Sequence, residues 1–145
     1  MKKRPFILGT YPLGHENVEL WIEDEDDDGC GGGWFQLQGP NGGRPHIHIL
    51  IPKKDNWPHI LQVLLHESRE FLSARMGLRF VESSTYLGNP AAYVFHYDHQ
   101  QMAEMDMRQA TFISYAFEPL KAVFDERTAP PKPRPKRKRK TKANG

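Results

Sequence analysis

Hydrophobic positions recur along this chain with two different periods. Up to residue 51 the period is two. Val18, Leu20 and Ile22 alternate with Glu19, Trp21 and Glu23, which predicts a half-buried strand over 18–24. PFILGTYPL (5–13) is an earlier β-rich stretch, and WFQL (34–37) reads as a further strand. Between them DEDDDGCGGG (24–33) is too acidic and too rich in glycine to fold alone, and is expected to be a long hairpin loop. GPNGGRP (39–45) marks a second turn. In HIHILI (46–51) the alternation puts His46 and His48 on one face and Ile47, Ile49 and Ile51 on the other. Two histidines spaced this way can hold a metal, but the residues read better as the polar face of an edge strand.

From residue 55 the period becomes 3.6. Ile60, Leu61, Leu64, Leu65, Phe71 and Leu72 fall on one broad face at about 100° per residue. Asp55 or Asn56 is placed to cap this helix, Pro58 suits its first turn and Gly77 its end. The span 78–81 predicts a short strand, 83–90 a loop, and AAYVFHY (91–97) another strand. Asp98 is a good N-cap for a second helix over 99–124. Its apolar side is expected to run through Met102, Ala103, Ala110, Ile113, Phe117, Leu120 and Phe124, with His99 at the head of the stripe and Asp106 close to it. Pro119 is expected to bend or break the helix near its end. The pattern therefore predicts an α+β domain over 1–126, in which two contacting helices cover one face of a mainly antiparallel sheet. The sheet would use segments near 6–12, 17–23, 34–38 and 46–51.

Composition narrows the choice of chemistry. The 145 residues are 38% hydrophobic and 26% charged, with no apolar run near the roughly 18 residues that a membrane span needs. MKKRPFILGTYPLGHE has too short and too interrupted an apolar part for a signal peptide. One cysteine, Cys30, permits neither an internal disulfide nor a thiolate metal cluster, so a cytoplasmic, reducing setting is expected. The acidic run lacks the ligand spacing of a calcium-binding EF-hand loop. The formal charge of +2 conceals an asymmetry. From Arg127 the chain reads RTAPPKPRPKRKRKTKANG, basic and proline-rich with nothing to bury, and 127–145 is expected to be disordered. Lys136, Arg137, Lys138, Arg139 and Lys140 would neutralise phosphates and give salt-sensitive, sequence-independent contact with DNA or RNA; a purely solubilising tail is the alternative.

The sharpest chemical signal lies on the first helix. Glu67 falls inside its apolar arc, an unusual place for a carboxylate. His66 and Glu70, at i and i+4, share a flank. HESRE reads H-E-x-x-E, one residue from the H-E-x-x-H in which two ligands bind zinc and the intervening glutamate activates water. Such a pattern also occurs on charged helix edges facing solvent. With the D-H that opens the second helix, and the preceding HIHILIP strand, residues 46–124 resemble the zincin-like metallopeptidase fold. The likeness is to small zincin-like proteins encoded by phages and prophages. The resemblance implies His66, Glu70 and His99 as ligands of Zn²⁺ or another divalent metal, with His96 in reserve, and Glu67 as general base. It implies hydrolysis of an extended peptide or protein, offered to the edge of the HIHILIP strand. Glu70 departs from the protease motif and makes the site more anionic. The alternative expectation is a non-catalytic phage binding or structural module of the same fold, contacting a host protein or nucleic acid.

Overall fold

A computed structural model of the chain describes residues 5–23, 31–52, 56–81, 93–95 and 97–130. In chain order its elements are β1 (Phe6–Leu13), β2 (Glu16–Glu23), β3 (Gly32–Gln36), β4 (His46–Leu50), α1 (Trp57–Arg75), β5 (Arg79–Val81), β6 (Tyr93–Phe95) and α2 (His99–Thr128). The first four strands form a mixed sheet in the order β1-β2-β4-β3, and β5 and β6 form a separate antiparallel pair. α1 packs on β3 and β4, α2 packs on β1, and the two helices touch each other. The fold is α+β, with two helices against a four-stranded sheet.

Sheet order follows from burial. His46, Ile47, His48 and Ile49 are all buried, so β4 is covered on both faces and lies inside the sheet. It pairs parallel with β2 and antiparallel with β3. This corrects two expectations. The HIHIL strand is not an edge strand, and β2 and β3 do not form a hairpin, because β4 separates them. β1 and β2 are joined by Gly14 and His15, with Gly14 at φ +70°, the left-handed region that a two-residue turn uses. Gly32 and Gly33, expected in a loop, belong to β3. A Cβ on Gly33 would lie 2.7 Å from Glu67 Cγ and 2.8 Å from Val63 Cγ1, so its missing side chain is what lets β3 settle onto α1.

Both helices begin, and α1 ends, where the sequence signals stand, whereas α2 runs past the expected break at Pro119. Asn56 accepts from the backbone of His59 at 3.0 Å, and Gly77 (φ +68°) follows the last turn of α1. Asp98 and Gln101 form a reciprocal capping box on α2, at 2.8 and 2.9 Å. α2 continues through Pro119 to Thr128. The core holds Val18, Leu20, Ile22, Ile47 and Ile49 from the sheet, with Ile60, Leu64, Phe71, Phe112 and Leu120 from the helices. Burial of each large side chain contributes roughly 1.5–3 kcal/mol.

One polar contact fixes the helix pair. Gln109 is buried, and its Nε2 donates to Leu65 O at 2.5 Å and Ser68 Oγ at 2.8 Å, while Arg69 Nε donates to its Oε1 at 3.3 Å. Arg69 also pairs with Asp106, which is exposed rather than facing the core. The buried positions of α2 are Met105, Gln109, Phe112, Ala116, Leu120 and Phe124. The stripe expected from apolar residues alone is out of phase over the first half of the helix, because a glutamine holds a core position there. At its far end α2 places Phe124 5.6 Å from the ring of Trp57, and Arg127 Nη1 donates to Glu23 O at 3.0 Å.

Candidate functional site

The H-E-x-x-E residues occupy one side of α1, and its helical turn spreads them over different surroundings. His66 Nε2 lies 3.3 Å from Glu70 Oε1, with the histidine side chain 63% exposed and the carboxylate 20% exposed. They line a cleft of about 130 Å³ together with Arg69, Ser73 and Tyr97. The chain leading into α2 therefore reaches this flank, since Tyr97 stands two residues before His99. Arg69 is held in the cleft wall by Asp106 and Gln109. Ser73 is buried and donates to Arg69 O at 2.9 Å.

Glu67, about 60° round the helix from Glu70 and about 100° from His66, is only 8% exposed. It lies beneath β3, against the position where Gly33 lacks a side chain. The expected burial of this carboxylate is found, and it puts Glu67 against β3, not among the residues that line the His66–Glu70 cleft.

His99 does not complete the set. It sits exposed in the first turn of α2, and among the described residues no group of three or more His, Cys, Asp or Glu is arranged to hold a metal. The reason is rotational. His99 is six residues before Met105, so at about 100° per residue it points about 120° away from the buried stripe. The capping box at Asp98 fixes that phase. Two side-by-side donors fall short of the three protein ligands that a catalytic zinc keeps, so the described residues alone do not make a full zinc site. His96, the reserve ligand, lies outside the described residues, as do Cys30 and the basic run Lys136, Arg137, Lys138, Arg139 and Lys140.

A second cluster lies on the sheet face away from the helices. Trp21 on β2 and Trp34 on β3 both stand in register with His48 on β4. The imidazole is stacked 3.7 Å from the Trp34 ring centre at 14°, and 5.3 Å from that of Trp21 at 17°. His48 Nδ1 donates to the Glu23 carboxylate, and Trp21 Nε1 donates to Glu19 Oε2 at 3.0 Å. His46 packs edge-on to Trp34 at 5.7 Å. Burial holds the His48 pKa below its ordinary value; Glu23 opposes the shift and the neighbouring His46 adds to it. Sequence reasoning finds the two histidines but not the tryptophans that enclose them. The period of two already places Trp21 with Glu19 and Glu23 on the face opposite the isoleucines; the missing fact is the parallel pairing of β2 with β4.

No family model, curated protein or solved structure matches this chain.

Proposed function

We propose that the protein is a zincin-like, metal-dependent hydrolase acting on extended peptides. One observation carries the reading: His66 and Glu70 stand side by side in a cleft while Glu67, inside the same five residues, is buried beneath an edge strand. A divalent cation at this flank would supply Lewis-acid polarisation of a scissile carbonyl. His66 and Glu70 would hold it, and Glu67 would take the proton from the attacking water. A third donor would have to come from His96, the reserve ligand outside the described residues, since His99 is not grouped with His66 and Glu70. Among the described residues β3 rather than β4 has an unpaired edge, so an extended substrate pairing with the sheet would lie along β3, above Glu67. The test is hydrolysis of an unfolded protein substrate supplied with Zn²⁺. Glu67→Gln should abolish turnover while keeping bound metal, because it removes the base and spares the two ligands. Full turnover by Glu67→Gln would overturn the reading.

The second reading is a non-catalytic binding module that contacts a protein, or a nucleic acid through its basic tail. The ordered aromatic face around His48, built without any help from the α1 cleft, favours it. Bound metal with no turnover on any unfolded protein or peptide would select it.

A further inference from the structure

Among the described residues no helix covers the sheet face carrying Trp21, His48 and Trp34, since α1 and α2 both pack on the opposite side. Across the four strands one row reads Ile7, Trp21, His48, Trp34. Ile7 is 48% and Trp34 38% exposed, an apolar strip about four strands wide with its centre held rigid by stacking. Among the described residues of these strands, the charged side chains on this face are Glu19 and Glu23. The surface is aromatic and anionic, which suits a cationic or proline-rich chain and opposes a polyphosphate backbone.

Such a chain begins at the rim. Glu23 offers its side chain to His48 on the open face, and its carbonyl accepts from Arg127 Nη1 at 3.0 Å from the helix side. The Arg127 guanidinium also lies 5.6 Å from the Phe6 ring centre. The end of α2 is thus fastened at the edge of the aromatic face. Ala129 leaves the helix at φ −57° and ψ 136°, close to polyproline II geometry, and Pro130 follows. Residues 131–145 then carry eight Lys and Arg, no acidic residue and three prolines. With that segment set aside, the formal charge of the chain changes from +2 to −6. In extended polyproline form fifteen residues reach roughly 45 Å, whereas crossing the four strands takes only about 15 Å.

We propose that residues 131–145 dock back across this face, with their prolines and cationic side chains against Trp21 and Trp34 and with Glu19 and Glu23 as counter-charges. Aromatic grooves take proline-rich chains in this way because a preformed extended chain has little conformational freedom to lose. The basic tail then has its own domain as a resting partner, and any polyanion has to compete for it.

The test uses the full-length chain with Cys30→Ser and Thr141→Cys, a nitroxide on the new thiol, and the three indole N–H signals read by NMR. Trp57 is the internal reference. It packs against Phe124 near the end of α2, as Arg127 packs against Glu23 and Phe6, so a freely moving tail would broaden the three signals without singling out the sheet face. Docking predicts a contrast, with Trp21 and Trp34 losing several-fold more intensity than Trp57. In about 1 M salt, where screening falls to about 3 Å, the difference should disappear. Trp34→Ala should also erase it at Trp21 while leaving the Trp57 signal in place. Equal broadening of all three signals, or strongest broadening at Trp57, would overturn the proposal. So would broadening carried from labelled to unlabelled chains in a mixed sample, which would mean that the face takes the tail of a second copy.

Discussion

At the scale of single residues, the contact between Gly33 and Glu67 joins the sheet's edge to the candidate site. A methyl group at residue 33 would meet Glu67 Cγ at 2.7 Å, Val63 Cγ1 at 2.8 Å and the backbone oxygen of His48 at 2.9 Å, and the last of these cannot swing aside. Gly33→Ala should therefore destabilise the fold by about 1–3 kcal/mol in denaturant unfolding. Gly32→Ala, with nothing within 4 Å of its Cβ, is the matched control and should change stability far less. His48 gives a second residue-scale prediction. Burial holds its pKa below the ordinary 6.5, so between the lowered value and 6.5 the unfolded chain binds more protons than the folded one. Stability contributed by neutral His48 is thus full above 6.5 and is lost as pH falls below it. Chemical unfolding from pH 8 to pH 5 should show a steeper loss for the wild type than for His48→Phe, and parallel curves would refute the assignment. The burial of Glu67 is legible from helical phase alone. The stacking of His48 is not, because it depends on which strands become neighbours.

At the scale of elements, the ends of the helices are the most legible feature. Asn56, Pro58, Gly77 and Asp98 act through local hydrogen bonds and local backbone geometry, which a short stretch of sequence specifies completely. Asp98→Ala should cost about 0.5–2 kcal/mol in thermal or denaturant unfolding through loss of the capping box. The order of strands is less legible. The alternation in HIHIL marks two faces but not the coverage of both, since two histidines look polar until tryptophans from two neighbouring strands enclose them. The phase of α2 is hidden from a count of apolar residues because Gln109 is polar by type and yet buried, its amide being satisfied by Leu65 O and Ser68 Oγ. Gln109→Leu leaves those groups and Arg69 without this partner. It should destabilise the helix pair by about 1–3 kcal/mol, more than the added apolar surface returns. The same shift of phase is why His99, counted inward from sequence, stands exposed.

At the scale of the whole molecule, the described residues form one α+β layer pair with chemistry on both sides. On the helix side are the His66–Glu70 cleft and, beneath β3, Glu67, and on the opposite face is the aromatic row facing Glu19 and Glu23. Among the described residues no helix is long and apolar enough to cross a membrane. Replacing Lys136, Arg137, Lys138, Arg139 and Lys140 together by glutamine should weaken binding to generic DNA at low salt. It should also make log affinity fall less steeply with log salt, by about 0.9 for each phosphate that the tail no longer neutralises, as measured by fluorescence anisotropy. The metal itself is the central matter, because it separates a hydrolase from a binding module. Equilibrium dialysis of the full-length protein against Zn²⁺ tests it most directly. The wild type should bind close to one equivalent, His66→Ala and Glu70→Ala should lose it, and Glu67→Gln should retain it. A folded wild-type protein that binds no zinc, or a Glu67→Gln protein that loses it as fully as His66→Ala, would contradict the account.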